Sequence, residues 1–206
     1  MALEKIQLEH IPQGYQVYAA LFRDVTNTEF LHSQLLSRNS EFEYAFIDAS
    51  SVISRLHLLS AVYSALNTLI DGTLRTANVH SEIVVSLNTN SNIADAYRRW
   101  GITPGKTKDL IVVKVVQPSS SNAPDERSPQ QQAQAQDSIR AHLTQHVDGT
   151  PVPLTDTELS KTTDWPRVRK YYRLNGVPAL EKITDEDERR REMEKLAVMG
   201  MALRGL

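Results

Sequence analysis

A mixed β-sheet flanked by helices and followed by a C-terminal helical lobe, an α/β (α+β) architecture, is the fold the sequence predicts. Three observations carry it. Strand-like and helix-like stretches alternate from residue 15 to 116, the pattern of a sheet with helices packed on it. The run "LIVVKVV" (Leu110–Val116) is almost continuously apolar, as a strand covered on both faces must be. Beyond residue 138 the apolar residues recur at helical spacing.

In order along the chain, residues 16–22 ("QVYAALF") read as a strand, 27–38 as a helix, and 44–47 as a short strand closed by Asp48. Residues 54–70 carry Leu58, Val62, Ala65 and Leu69 at helical spacing. A second stripe of Leu56, Leu59, Tyr63, Leu66 and Ile70 lies beside the first, so this helix is apolar around roughly half its circumference. Asp71-Gly72 ends it, and the β-branched run "EIVVSL" (residues 82–87) reads as a strand. A short helix over residues 92–100 has every terminal signal: Asn92 as N-cap, Asp95 in the positive first turn, Arg98 and Arg99 in the last turn, and Gly101 to close it in the left-handed conformation.

After the apolar strand, residues 117–137 are rich in proline and glutamine and hold no large apolar side chain. Such a segment cannot offset the entropy of ordering itself and reads as a mobile surface insertion. Helices are expected over 138–147 and 165–174, and a long terminal helix from Thr184 as N-cap, with Asp187 in its first turn and Met193, Leu196, Ala197, Gly200 and Leu203 on one face. The polar tail is too poor in apolar residues to enclose its own core, so residues 1–206 are expected to form one domain.

Composition excludes several function classes. There is no cysteine, hence no disulfide framework, thiolate metal site or cysteine nucleophile. Basic and acidic side chains number 23 and 25, for a formal charge of −2, so nucleic-acid contact requires a local basic patch. The N-terminal "MALEKIQLEHIPQGY" lacks the apolar core of a signal peptide, and an intracellular, soluble protein is expected.

The segment "GITPGKT" invites a phosphate-loop reading, with Gly105-Lys106-Thr107 as a nucleotide site in a small enzyme. A Walker loop has four residues between its first glycine and its Gly-Lys pair, follows a strand and opens a helix. Here three residues intervene, a helix precedes and a strand follows, so the element order is inverted. His142 and His146 lie one turn apart with no third ligand in view, and are expected to be solvated; no metal site and no cofactor is expected. No Gly-x-Ser-x-Gly motif occurs, and no catalytic residue is assigned. Arg167, Arg169, Lys170 and Arg173 interleave with Tyr171 and Tyr172, and Arg75, Arg98, Arg99, Lys106 and Lys108 cluster mid-chain. These sets suit either a solvated face or RNA, whose phosphates take cations and whose unpaired bases stack on aromatic rings. The surplus stripe on residues 54–70 is either wedged beneath the terminal helix or exposed for a partner. Met193, Met199 and Met201, with Gly200 among them, suit an adaptable contact surface.

The run "NSNIADAYRRWGI", preceded by "LRTANVHSEIVVSL" and followed by "LIVVKVV", resembles the kinase-binding subunit of the KEOPS (EKC) complex, the PRPK-binding protein family in its fungal form. The likeness continues through "YAALF", "VDGTPVPL", "VRKYYRL" and the terminal "LRGL". It implies a mixed sheet with a helical lobe and a non-enzymatic subunit of the machine that installs threonylcarbamoyladenosine next to the anticodon of tRNA. It further implies docking on the complex's small atypical kinase/ATPase, and through it on the threonylcarbamoyl transferase and the small dimerising subunit, and recruitment of tRNA by its 3′ CCA end. A location in cytoplasm and nucleus, and for fungal members a link to telomere maintenance, belong to the same expectation. Carried onto this sequence, the resemblance points to Val62, Leu66, Ala94, Tyr97, Leu196, Met199 and Leu203 for kinase contact. It points to Arg75, Arg98, Lys106 and Arg204 for tRNA. A free-standing RNA-binding module remains the alternative to a complex subunit.

Overall fold

A computed structural model describes residues 3–12, 14–118 and 129–204. In chain order the elements are β1 (Glu4–Ile6), β2 (Gln16–Arg23), α1 (Thr28–Leu36), β3 (Ala45–Asp48), α2 (Arg55–Ile70), α3 (Val79–Ser86), α4 (Ile93–Trp100), β4 (Leu110–Val116), α5 (Pro129–His146), β5 (Thr150–Val152), α6 (Asp156–Ser160), α7 (Trp165–Tyr171), α8 (Pro178–Glu181) and α9 (Glu186–Ala202). The strands form one antiparallel sheet ordered β1-β2-β4-β3, with β5 also pairing β2. The register sets Ala19 opposite Val113 between β2 and β4, and Ile47 opposite Ile111 between β3 and β4.

Because side chains alternate along a strand, the sheet feeds two cores. Val17, Ala19, Leu21, Ile111, Val113 and Val115 face the helices α2, α3, α4, α7 and α9. Tyr18, Ala20, Phe22, Leu110 and Val112 face Leu31 of α1 and Ile139 and Leu143 of α5. The two-sided cover expected for Leu110–Val116 is therefore present, and α6 to α9 supply the C-terminal helical lobe on the first face.

Four local expectations are corrected. "EIVVSL" is not a strand: residues 82–86 lie in α3 with Leu87 as its C-cap, and Asn78 caps the start by accepting a bond from the Ser81 amide at 2.9 Å. All its residues but Ser81 are buried, and an unbroken apolar run looks the same whether a strand or a fully covered helix. The segment 117–137 is not wholly irregular, since residues 129–137 open α5; its central part, 119–128, lies outside the described residues. The terminal helix is capped by Asp185, whose side chain accepts from the Glu188 amide at 2.7 Å, rather than by Thr184. Its sequel, Gly205 and Leu206 of the quoted "LRGL", also lies outside the described residues.

The fourth concerns Gly101, whose φ of −72° is not left-handed. It bridges Ile47 of β3, and a Cβ there would sit 2.6 Å from the Tyr97 carbonyl oxygen. Glycine is needed for that close approach. Gly101→Ala is expected to cost about 1–3 kcal/mol as an overpacked site, read as a lowered urea midpoint; an unchanged midpoint would show that the turn gives way freely.

Candidate interaction surface and an adjoining cavity

Ser54 caps α2 through its hydroxyl, which accepts from the His57 amide at 3.0 Å. Leu58, Val62 and Ala65 of the first stripe and Leu66 of the second go inward and are fully buried, with Ala61 beside them. Val62 and Leu66 are thus core residues of the chain itself and are not available to a partner; helical spacing marks the apolar sector of a helix but not which edge of it meets the sheet. The outer edge keeps Leu56 (59 % exposed), Tyr63 and Ile70 in solvent, with Leu59 half-buried.

On α9, Met193, Ala197 and Met201 face inward, Leu196 is half-buried, and Met199 and Leu203 are 57 % and 58 % exposed. α9 packs beside α2, where the Ser54 hydroxyl donates to Glu194. Gly200 faces Thr89 of this same chain, whose Cγ2 would lie 3.1 Å from an added Cβ. Ala94, Ile93 and Tyr97 of α4 are also exposed. The structure thus places Ala94, Tyr97, Met199 and Leu203 in solvent, and Leu196 at its margin.

The cations sort differently. Arg98 is largely exposed and ion-paired with Asp95, which Arg99 also contacts at 2.9 Å. Arg75 is exposed and donates from Nη1 to the Ser91 hydroxyl at 3.0 Å, and Lys106 is exposed on its turn. Arg204 is no surface cation. Its side chain is 8 % exposed, it pairs with the fully buried Glu82 at 3.6 Å and it donates to the Val85 carbonyl. Burial, and secondarily the Arg75 charge, lower the Arg204 guanidinium from its usual value, against the opposing pull of Glu82. It is unavailable to RNA in this fold.

Two further groups are taken up internally. The amides of Gly105, Lys106 and Thr107 bond to the Thr28 hydroxyl and the Thr103 carbonyl, and the Thr107 hydroxyl donates to Asp48 at 3.3 Å. None of the three amides is left to cradle a phosphate. Tyr172 is buried, donating to the Leu87 carbonyl at 2.7 Å and lying 2.5 Å from His57 Nε2, so it offers no face to a base. Arg167 reaches Ser50 at 2.6 Å and Asp48 at 3.2 Å. His142 is not simply solvated: its Nδ1 lies 3.0 Å from the Tyr44 hydroxyl, its ring packs on Phe42, and burial lowers its pKa. Among the described residues no cluster of three or more acidic or histidine side chains fits a metal ion, and no helix is long and apolar enough to cross a membrane.

A cavity of about 710 Å³ opens beside α4, walled by α1, the turn after it, the start of α3 and the Gly101–Pro104 connector. Leu35, Phe42, Phe46 and Ile102 make its lining largely apolar, and Arg38, Tyr97 and Arg98 contribute to it. His80 also lines it and is buried; its Nε2 accepts from the Val115 amide at 3.0 Å. That bond assigns the ring proton to Nδ1, a buried donor with no partner. Burial, reinforced by Lys114, pushes the His80 pKa down to about 3, so the ring is neutral. Sequence reasoning missed this cavity because three distant segments build it; a buried histidine in a capped helix is its only local trace.

Comparison with known proteins shows a match of residues 22–205 to the family described as kinase binding protein CGI-121. The chain is 57 % identical over 208 residues to the EKC/KEOPS complex subunit cgi121 of Neurospora crassa, covering all of both chains. It is 54 % identical over 206 residues to the EKC/KEOPS complex subunit CGI121 of Gibberella zeae, again over the whole of both, and 43 % identical to the Aspergillus fumigatus subunit over all of this chain and 98 % of that one.

Proposed function

The chain belongs to the family of kinase binding protein CGI-121, and from that premise we propose that it is a non-catalytic subunit of an EKC/KEOPS complex. It docks on the small atypical kinase/ATPase of that complex and presents tRNA, by its 3′ CCA end, for threonylcarbamoyladenosine formation. The observation that supports docking is the apolar surface that α2, α4 and α9 leave uncovered, with Leu56, Tyr63, Tyr97, Met199 and Leu203 in water. Exposed large apolar side chains suit a partner site, α2 and α9 packing side by side and α4 joining α2 through α3, and methionine adapts to the partner's shape. Through the kinase the chain would meet the transferase and the small dimerising subunit, in cytoplasm and nucleus, and a link to telomere maintenance would follow from the same assembly. Mixing the chain with the kinase should give a one-to-one species by light scattering; two non-interacting peaks would remove the proposal.

For tRNA, the apolar cavity with Arg98 at its side and Arg75 and Lys106 exposed nearby in sequence suits a single-stranded end. Bases lie against apolar and aromatic walls while cations take the phosphates. Arg98→Glu is expected to weaken binding of a CCA-ended tRNA about tenfold and to lower the salt slope of the binding constant by about one. Equal loss for a tRNA lacking its CCA end would point instead to general attraction by a basic surface.

A further inference from the structure

The cavity rim and the exposed end of α9 meet at one buried carboxylate. Glu82 of α3 is wholly inaccessible. Its Oε2 accepts from the Arg75 amide and the Thr76 amide, each at 3.1 Å, and from the Thr76 hydroxyl at 2.9 Å. Its Oε1 faces the Arg204 guanidinium at 3.6 Å, an ion pair longer than a hydrogen bond. Arg204 follows Leu203, which is exposed at the end of α9, and is itself anchored to the Val85 carbonyl of α3. On the other side, Thr76 leads directly into Ala77 and Asn78, which line the cavity.

We propose that Glu82 is a positioning residue that joins the two sites, with Arg204 as the charge that lets its carboxylate hold the Arg75–Asn78 loop in place at the cavity rim. A carboxylate withdrawn from water needs a compensating cation as well as hydrogen bonds. Without Arg204 the buried Glu82 carboxylate lacks its cation and is drawn toward water, and the bonds to the Arg75 and Thr76 amides weaken. Anything that holds the end of α9 therefore also steadies the loop, and the linkage acts equally in the reverse direction. What the two ends bind rests on the function proposed above; the linkage itself does not.

Native-state hydrogen exchange on the full chain alone separates the two. In Arg204→Gln the amides of Arg75 and Thr76 should exchange about tenfold faster or more, while those of Ala19 and Val113 in the central strands keep their protection. Arg204→Lys should restore part of the protection, and Glu82→Gln should reproduce the loss. Unchanged exchange at Arg75 and Thr76 overturns the proposal. So does a uniform acceleration that includes Ala19 and Val113, because that would mean loss of global stability rather than release of one loop. No kinase or tRNA enters this measurement, so its failure would leave the docking reading standing.

Discussion

Met199→Asp combined with Leu203→Asp is expected to weaken kinase binding by about a hundredfold or more, as truncating two anchor residues of a docking site does, while leaving the folded chain intact. Both side chains are more than half exposed, so the monomer loses little when they change, whereas the complex would have to bury two carboxylates without partners. Tyr63→Asp applies the same logic to α2, and comparing the two variants tells which helix forms the centre of the contact. Titration calorimetry against the purified kinase supplies the affinities, and circular dichroism confirms folding. An unchanged dissociation constant in the double variant would remove α9 from the interface. Leu66 serves a different purpose: it is fully buried against the sheet, so its replacement probes the core and says nothing about docking.

How much of this surface could be read in advance depended on the kind of signal each residue carries. The N-cap of α4 was legible, because Asn92 accepting from the Asp95 amide at 2.9 Å is a purely local interaction, whereas the conformation of Gly101 is set by its bridge to Ile47 of β3 and was not. The two-faced strand β4 was legible from its composition, and so were the two apolar stripes of α2. Which residues of each stripe face inward was not, since Leu66 of the second is buried with Leu58, Val62 and Ala65 of the first, and that is decided by the sheet and by α9, elements remote in sequence. The same holds for α3, where β-branched residues favour a strand locally and burial on all sides overrides the preference. Arg204 illustrates the limit most plainly. As a near-terminal arginine it has the look of a surface cation, and only the tertiary meeting with Glu82 makes it a buried structural one.

Acid should unfold this protein from an unusually high pH, and two histidines are the reason. His57 is fully buried, accepting from the Ile53 amide at Nδ1 (3.2 Å) while Nε2 lies 2.5 Å from the Tyr172 hydroxyl; His80 accepts from Val115. Burial pushes both pKa values down from 6.5 to about 3. The folded chain therefore keeps both rings neutral, while the unfolded chain protonates them as the pH falls through 6.5. Their contribution is complete above 6.5 and declines continuously toward pH 3, at about 1.4 kcal/mol per pH unit for each ring. Between pH 7 and pH 5 the two together remove about 4 kcal/mol, a large part of the roughly 5–15 kcal/mol that holds an ordinary domain together. Few carboxylates change protonation in that interval, so it isolates the histidines, with His142, also lowered by burial, adding in the same direction. Urea denaturation at the two pH values measures the difference directly. His80→Gln, which keeps an acceptor for the Val115 amide but cannot titrate, should cut the pH dependence by about half even if it lowers stability overall. Equal urea midpoints at pH 7 and pH 5 in the unaltered protein would mean that these rings gain protons in the folded state as readily as in the unfolded one, and the buried neutral pair would have to be abandoned.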